Sequence, residues 1–497
     1  MARWSRESRI AGAALFLLVG GYGALLICHA SRAVGGSDSS GYYNEARAVA
    51  AGRIVEPLEP LTRFGLPLDH SHYFIPLGYS EGPAPGTMAP SYPVGLPLHF
   101  CAAASILGWN SGPFLVSPVA AAVSLLLIYL VARELGLSRT GGLACTAMFA
   151  CVPILVYQGV QPMSDAVATA WALGAVLFAL RARKSGGWAA GAGLAFGAGV
   201  LVRPSSAVLI VPLVFALPQN RRAWLLFLAG GAPCAAILLA FNRAVYGGIL
   251  KSGYDETGAS TAFSPGNAVP GLRHYGYWIS VMMSPIILPC WIAACLRSRA
   301  GLRDRLLLFG WFAAFLVVYV LYFPYEAWWY TRFLLPAIPA LLIGAAMAGQ
   351  DLVIAARGSH SIWKRAAAAT GFLLVCGAGL RMGWREQVLE IGRGQAIFPE
   401  AIRWSAARVP REAIVLSMEF SGAMKAYGWG TPVRWDWIEN KDFAALRRRL
   451  ESPGHPLYAL LLPHEVVEAS GHLPGTWRYL GSHGPASLWI LEPAVPE

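Results

Sequence analysis

The stretch Gly36–Arg53, GSDSSGYYNEARAVAAGR, decides how the rest of the chain is interpreted. It follows directly on the first long apolar run, Ile10–His29. That run has about 20 residues, which is enough for a helix to cross a membrane. The stretch therefore places one carboxylate, Asp38, just outside a membrane span and before a short helix that carries Tyr42 and Tyr43. Most of the remaining chain is apolar, and we expect its helices to hold a site around Asp38.

Composition indicates a membrane protein. Of the 497 residues, 56% are hydrophobic and 13% are charged, whereas a soluble globular chain has about 25% charged residues. The net charge of +12 could indicate a nucleic-acid partner, but the excess of Lys and Arg lies in short loops between apolar runs. That distribution is typical of the cytoplasmic loops of polytopic membrane proteins. We therefore expect membrane lipids, and no nucleic acid, among the partners.

The apolar runs predict about eleven membrane spans. With a cytoplasmic N-terminus and with Val94–Leu107 lying flat in the interface, every short loop rich in Lys and Arg falls on the cytoplasmic side. If Val94–Leu107 spanned the membrane, the later loops would all change side, and its roughly 14 residues are short for a span. The predicted spans are 10–29, 112–132, 142–157, 166–182, 188–201, 205–217, 224–241, 277–296, 306–323, 333–347 and 366–380.

The predicted fold class is an all-α polytopic membrane domain over residues 1–384 with a small external α/β domain over residues 385–497. The membrane domain contains a first external loop, 30–110, with interfacial helices, and a second external loop, 243–276. In the C-terminal domain, short apolar runs predict buried strands and a charged run predicts a helix. These runs are AIVLSM, PLYALLL and SLWILEP for the strands, and Lys441–Glu451 for the helix.

Ionisable and aromatic residues from distant parts of the chain share the external edge of this topology. Charged groups at the edge of a membrane are costly, so they are functional candidates by default. Two carboxylates could exchange a proton or bind a cation, and the basic groups could bind an anion such as phosphate. The candidates are Asp38, Asp165, Arg203, Lys251, Tyr254, Glu326 and Arg332.

Several candidates also have a purely structural interpretation. Asp38 and Asp165 could each cap the N-terminus of the helix that follows. Arg203 could extend its charged end to the interface at a turn, and Arg332 could anchor the interface within an aromatic belt. From the residues alone, both kinds of interpretation stay open.

The sequence assigns no metal ligands. None of the eight cysteines lies in the C-terminal domain and no CxxC pair occurs, so neither a zinc site nor a disulfide framework is predicted. His70 and His72 form an HxH pair in the first external loop, but no third ligand accompanies them. No cofactor is certain, and dependence on a divalent metal stays open. The absence of an Asn-x-Ser/Thr acceptor fits a bacterial protein.

The order and spacing of these features resemble the polytopic GT-C glycosyltransferases. The similarity is to the branch with bacterial lipid A aminoarabinose transferase, the protein O-mannosyltransferases and their bacterial family 39-type relatives. It covers residues 1 to about 350 in layout. In that family two acids are often adjacent in the first loop, whereas Ser39 follows Asp38 here, which puts in doubt a metal role built on paired carboxylates. The matching motifs are GSDSSGYYNEARAVAAGR with Asp38, QPMSDA with Asp165, YPVGLPLHF, Arg203, and YTRFLLPAIPALL with Arg332.

The resemblance implies an enzyme that moves a sugar from a polyprenyl-phosphate carrier to an acceptor hydroxyl, with inversion. The acceptor would be a lipid, a glycan or a protein, at the periplasmic face of the bacterial inner membrane. Asp38 would act as the general base, and Asp165 would orient the acceptor or an arginine. The implied donor-phosphate ligands are Arg203, Arg332 and Lys251, and the implied substrate contacts are Tyr42, Tyr43, Tyr254 and Glu326.

Two other functions stay open. A polysaccharide polymerase or ligase would use a polyprenyl-linked oligosaccharide in place of a single sugar. A lipid or sugar transporter would explain the many helices, but transporters usually show an inverted repeat and none is visible in the sequence. A transporter also leaves the two large external segments unexplained.

Overall fold

The structure of the chain is a computed structural model that describes residues 6–256, 259–297, 299–359, 361–451 and 456–492. It contains two compact units. The outermost residues of the two predicted domains, 1–5 and 493–497, lie outside the described residues. Unit 1 comprises Met1–Ala30, Phe114–Leu238 and Ser260–Ile391, and unit 2 comprises Ser31–Pro113, Leu239–Ala259 and Gly392–Glu497.

Unit 1 is built from helices around one buried apolar core. Helices are numbered in chain order through both units, and α5, α11 and α18 contain residues of each. The helices are α1 (Arg6–His29), α5 (Gly112–Glu134), α6 (Arg139–Ala150), α7 (Pro153–Gly159), α8 (Ser164–Ala182), α9 (Trp188–Val202), α10 (Ile210–Ala216), α11 (Arg221–Tyr246), α13 (Ala268–Met283), α14 (Ile287–Arg297), α15 (Leu302–Val320), α16 (Ile338–Ser359), α17 (Ile362–Arg385) and α18 (Ile391–Gly394).

Within the described residues, six helices are long and apolar enough to cross a membrane. Two bent pairs, α6 with α7 and α13 with α14, raise the count to eight if each pair is one span. All eleven predicted stretches contain helix, but the total of eleven spans is not confirmed by this count. The six are Glu7–His29, Gly112–Glu134, Ser164–Ala182, Arg221–Tyr246, Trp328–Arg357 and Ile362–Arg385.

The two bent pairs correct the prediction of continuous spans over 142–157 and 277–296. The axes change direction by 64° between α6 and α7 and by 99° between α13 and α14. Pro153 starts α7, and a proline lacks the N–H that would continue the preceding helix. Between α13 and α14, Ser284 has a φ of 68° and is followed by Pro285. Both breaks therefore occur where the chain cannot form the regular hydrogen-bond ladder.

Unit 2 contains short helices and two sheets. Its helices are α2 (Asp38–Ala50), α3 (Glu59–Arg63), α4 (Gly95–Leu107), α12 (Gly253–Glu256), α19 (Ile397–Ala406), α20 (Ser421–Tyr427), α21 (Asn440–Leu450) and α22 (Pro463–His472). Its strands are β1 (Glu56–Pro57), β2 (Tyr79–Glu81), β3 (Thr87–Pro90), β4 (Ile414–Leu416), β5 (Thr431–Val433), β6 (Leu457–Leu461), β7 (Trp477–His483) and β8 (Ala486–Leu491).

The larger sheet confirms the predicted α/β character of the C-terminal region. Its strand order is β5-β4-β6-β8-β7. Strand β4 runs parallel to β5 and β6, whereas β8 is antiparallel to β6 and β7. Strands β4, β6 and β8 and helix α21 coincide with the four predicted elements. The boundary after residue 384 stays a prediction.

The segment predicted to form the first external loop contains more regular structure than the sequence predicted. Strands β1, β3 and β2 form a small antiparallel sheet between α2 and α4 in the chain. Apolar residues of the segment 58–88 share one buried core with residues of the larger sheet. Helix α4 has 13 residues, so it is too short to cross a membrane, and its interfacial placement stays a prediction.

Candidate active site

Asp38 is the first residue of α2, and its carboxylate has a defined partner in unit 2. The Tyr92 hydroxyl donates a hydrogen bond to Asp38 Oδ1 at 2.7 Å and lies 2.8 Å from Ser37 Oγ. The residue that precedes the helix is Ser37. Burial, and then the charge of Asp38, hold the pKa of Tyr92 well above its usual value. Tyr92 therefore stays neutral and can act as a donor that orients the Asp38 carboxylate.

Close backbone packing places α2 against Tyr92. A Cβ atom at Gly41 would lie 2.4 Å from the Tyr92 ring and 2.9 Å from Gly78 Cα. Gly36, which leads into the helix, has a φ of +57°, a conformation that residues other than glycine rarely adopt. The glycines of the GSDSSG segment thus permit a close approach and a turn that larger residues would obstruct. Tyr92 belongs to the YPVGLPLHF motif, but the sequence predicted no role for it.

The two tyrosines of α2 face different surroundings. The ring centres of Tyr42 and Tyr92 are 4.5 Å apart, so Tyr42 packs against the ring whose hydroxyl contacts Asp38. The Tyr43 ring instead packs edge-on against Trp109 at 5.9 Å. Tyr254 contacts the Tyr92 ring at 6.4 Å, also edge-on. Of the three tyrosines predicted to bind substrate, Tyr42 and Tyr254 therefore meet at Tyr92.

The start of helix α20 completes the surroundings of α2 within unit 2. Asn44 Nδ2 donates a hydrogen bond to the Gly422 carbonyl at 2.9 Å, and the Leu77 amide donates to Ser421 Oγ at 3.0 Å. A Cβ atom at Gly36 would lie 3.8 Å from Glu419 Oε2. Burial, and then the charge of Glu465, raise the pKa of Glu419.

Glu419 is a second carboxyl near the turn before Asp38, and it was not predicted from the sequence. One signal was available: Glu419 follows the C-terminal end of strand β4, and ligands of open α/β sheets bind at that end of the strands.

Glu45 is an unpredicted carboxyl on the same side of α2 as Asp38. Asp38, Tyr42 and Glu45 follow one another at intervals of four and three residues. This spacing places all three on one face of the helix. Glu45 is fully buried, and neither carboxyl oxygen has a hydrogen-bond partner among the described residues. Burial raises the pKa of Glu45 well above its usual value of 4.5, so folding favours the protonated carboxyl.

The buried Glu45 carboxyl makes stability depend on pH. Its stabilisation is fully present below the unfolded-state pKa of about 4.5 and is lost as pH rises through the raised folded-state pKa. We expect the midpoint of thermal unfolding in detergent to fall from pH 5 to pH 8, and the Glu45→Gln variant to show a smaller fall. Glu59→Gln, which changes an exposed carboxylate of α3, should keep the wild-type slope. Identical slopes for wild type and Glu45→Gln would contradict the assignment.

The second acid, Asp165, lies in the first turn of α8 in unit 1 and is almost fully buried. Arg203, at the end of α9, forms an ion pair with Asp165 through its Nη1. The Arg203 guanidinium also lies 5.2 Å from the centre of the Phe333 ring. Asp165 is therefore paired with an arginine, and its role of orienting the acceptor or an arginine stays a prediction.

Arg332 contacts the same aromatic group. Its guanidinium lies 5.4 Å from the Phe333 ring centre and 5.8 Å from that of Tyr330. Both arginines of unit 1 that were predicted to bind phosphate thus flank Phe333, where cation–π attraction can hold them. Arg332 is half-buried, so its charge is more sheltered from water than that of a surface arginine.

The remaining candidates are exposed. Glu326 precedes the aromatic segment of unit 1, and no described residue pairs with it. Lys251 lies in unit 2, two residues before α12, and has no carboxylate partner within the described ranges.

His70 and His72 both pack against Tyr73. Among the described residues, no group of three or more His, Cys, Asp or Glu side chains is arranged to hold a metal ion.

Comparison with known proteins gives one family match and several fold matches. Residues 103–243 match the family model described as dolichyl-phosphate-mannose-protein mannosyltransferase. No curated protein matches the chain in sequence. The structure of ArnT from Cupriavidus metallidurans bound to undecaprenyl phosphate is similar, with a TM-score of 0.56 and 14% identity over 95% of this chain and 97% of ArnT.

Two other solved structures share the fold. The archaeal oligosaccharyltransferase AglB from Archaeoglobus fulgidus, in complex with an inhibitory peptide and a dolichol-phosphate, has a TM-score of 0.55 and 11% identity over 95% of this chain and 74% of AglB. The arabinofuranosyltransferase AftD from Mycobacteria has a TM-score of 0.50 and 15% identity over 99% of this chain and 42% of AftD. These matches and the apolar helices confirm the predicted resemblance: the chain is a multi-pass membrane protein with the fold of the GT-C glycosyltransferase superfamily.

Proposed function

We propose that the protein transfers a sugar from a polyprenyl-phosphate donor to an acceptor hydroxyl, with Asp38 as the general base. The observation that carries the proposal is the 2.7 Å hydrogen bond from Tyr92 to Asp38 at the start of α2. This contact holds a carboxylate in one orientation, as a general base requires. The donor class is supported by the shared fold with ArnT, whose solved structure contains undecaprenyl phosphate.

The reaction needs one proton transfer and one substitution. Asp38 accepts the proton of the acceptor hydroxyl while the hydroxyl oxygen attacks the anomeric carbon of the sugar. The bond between that carbon and the phosphate oxygen breaks, and the lipid phosphate leaves with the electron pair. Attack from the side opposite the phosphate inverts the anomeric centre. A base is needed because a hydroxyl is a poor nucleophile near neutral pH.

The leaving phosphate needs positive charge. Arg332 is the first candidate, because a guanidinium binds phosphate through two parallel hydrogen bonds. Arg203 is a second candidate, and its ion pair with Asp165 supports an orienting role for that acid. Lys251, in unit 2, is the third candidate to bind the leaving phosphate. We assign Tyr42, Tyr43, Tyr254 and Glu326 to substrate contacts, and we place the reaction at the periplasmic face of a bacterial inner membrane.

The fold match to AglB favours a second candidate function. AglB is an oligosaccharyltransferase, and its structure contains a dolichol-phosphate. The alternative for this chain is therefore the transfer or polymerisation of a polyprenyl-linked oligosaccharide. Both candidates use the same leaving group and the same base, so they differ only in the size of the transferred glycan.

A donor assay distinguishes the two functions. Purified protein in lipid nanodiscs would be incubated with a panel of polyprenyl-phosphate monosaccharides and with polyprenyl-linked oligosaccharides, and released polyprenyl phosphate would be measured. We expect release from at least one monosaccharide donor. Release from oligosaccharide donors alone would favour the second candidate. No release from any donor, by protein shown to be folded, would contradict both and favour a transporter.

Tyr92 should act as a positioning residue for Asp38. A hydrogen bond to a charged group contributes about 1.5–3 kcal/mol, so Tyr92→Phe should lower kcat by about 10- to 100-fold. We expect KM for the donor to change little, because Tyr92 contacts Asp38 and not the leaving phosphate in this proposal. Tyr479→Phe, which removes a hydroxyl from exposed Tyr479 on β7, serves as the matched control. An unchanged kcat for Tyr92→Phe would show that the contact does not position the base.

A further inference from the structure

Unit 1 contains a cavity of about 910 Å³ that the proposed reaction does not use. It is lined by residues of α1, α5, α6, α16 and α17, by Ile287 and Cys290 of α14, and by Ile286, which precedes α14. The charged lining residues lie at the helix ends: Glu7 at the start of α1, Arg133 at the end of α5, Arg139 at the start of α6, Arg357 at the end of α16 and Arg365 at the start of α17.

The lining combines positive charge with an apolar wall. Four arginines and one carboxylate, Glu7, give the cavity a net charge of +3. All four arginines are exposed, so their charged ends are accessible. The wall includes Ile286, Ile287 and Phe372, and further lining residues from α6 and α16 are mostly alanine, leucine and valine. A water-soluble anion would use the arginines but not this wall, whereas an amphipathic anion would use both.

The position of the cavity along the spans favours a membrane lipid. The charged lining residues come from five helices. The predicted alternation of spans places all of them on the cytoplasmic side. The cytoplasmic leaflet carries anionic lipids, and basic pockets between membrane helices on that side bind their head groups. The start of α8, which carries Asp165, lies at the opposite end of that alternation.

We infer that this cavity binds an anionic glycerophospholipid of the surrounding membrane. The lipid phosphate lies among Arg139, Arg357 and Arg365, and an acyl chain lies against Ile286, Ile287 and Phe372. The bound lipid thereby bridges α6, α16 and α17. The inference does not depend on the proposed sugar transfer, because it concerns a separate set of residues and is tested by lipid binding.

Two variants test the charge and the wall separately. Arg139→Gln combined with Arg365→Gln removes two cavity charges, and Arg221→Gln combined with Arg222→Gln removes two exposed charges at the start of α11, outside the cavity. Gly371→Phe fills the cavity without a change in charge. A Cβ atom at Gly371 would meet only Ile286 Cδ1, at 3.5 Å, so the larger side chain has room to extend into the cavity.

Binding would be measured by native mass spectrometry of the detergent-purified chain with phosphatidylglycerol, with phosphatidylcholine of the same acyl chains, and with undecaprenyl phosphate. We expect wild type and the Arg221/Arg222 variant to bind phosphatidylglycerol alike and in preference to phosphatidylcholine. The Arg139/Arg365 variant should bind it about tenfold or more weakly, since each basic residue near a lipid surface contributes roughly 1 kcal/mol.

Gly371→Phe should also lose the binding of phosphatidylglycerol. If that variant does not fold, the Arg139/Arg365 variant alone tests the inference. Equal binding of the two phospholipids, or binding unaffected by the Arg139/Arg365 change, would overturn the inference. So would displacement of phosphatidylglycerol from the cavity by equimolar undecaprenyl phosphate.

Discussion

Asp38→Asn lowers the rate of sugar transfer by about 10²- to 10⁴-fold while the protein stays folded, if Asp38 is the general base. Asparagine keeps the size of the side chain and can still accept a hydrogen bond from Tyr92, so the packing of α2 should persist. It cannot accept a proton from the acceptor hydroxyl. The measurement is the turnover of a polyprenyl-phosphate sugar by wild type and variant at equal amounts of folded protein.

The matched control for this experiment is Asp69→Asn. Asp69 lies in the same segment between α1 and α5, but its side chain is exposed. The control should keep wild-type turnover, because an exposed carboxylate outside the site has no role in the reaction. Full activity of Asp38→Asn would exclude Asp38 as the base. Glu419, the second carboxyl near Gly36, would then be the next residue to replace.

Asp165→Asn should destabilise the folded protein by about 3–5 kcal/mol, because it leaves Arg203 without its charged partner at a buried position. The side chains are 1% and 13% exposed, so water screens the pair little. The expected observation is a lower midpoint of thermal unfolding in detergent. Removing both charges, as in Asp165→Asn with Arg203→Gln, should restore part of the loss because no unpaired charge is left.

A surface pair provides the comparison for this result. Lys184 contacts Glu134 at 2.5 Å, but the Lys184 side chain is 74% exposed. Exposed pairs contribute about 0–1 kcal/mol, so Lys184→Gln should change the unfolding midpoint little. If Asp165→Asn and Lys184→Gln had the same unfolding midpoint, the Asp165–Arg203 ion pair would not stabilise the fold. A double variant that is stable but inactive would show that the Asp165–Arg203 pair also serves the reaction.

The helices and strands that depend on residues close together in the chain could be predicted from the sequence. Long apolar runs predicted the helices of unit 1, short apolar runs predicted β4, β6 and β8, and a charged run predicted α21. Strand β5 was missed because its three residues include Pro432, which disfavours a strand assignment. Strand β7 was missed because its residues are mostly partly exposed and lack a continuous apolar run.

The site was harder to predict because its contacts join residues far apart in the chain. Asp38 was identified from its position after the first span, but Tyr92 is 54 residues away and no local pattern links the two. Asp165 and Arg203 were both selected as charges near the membrane edge, yet their ion pair depends on how α8 and α9 pack. Glu45 was passed over because a carboxylate within a polar helix usually faces water, whereas this one is fully buried.

The contact between α2 and the C-terminal region has a consequence for biosynthesis. Asn44 donates a hydrogen bond to the carbonyl of a residue 378 positions later. At a synthesis rate of about 5–20 residues per second, roughly 20–75 s separate the two residues at the ribosome. During that interval the helix that carries Asp38 has emerged without this partner. Assembly of the Asp38 site is therefore a late event, and a nascent chain stalled before Gly422 would be inserted but inactive.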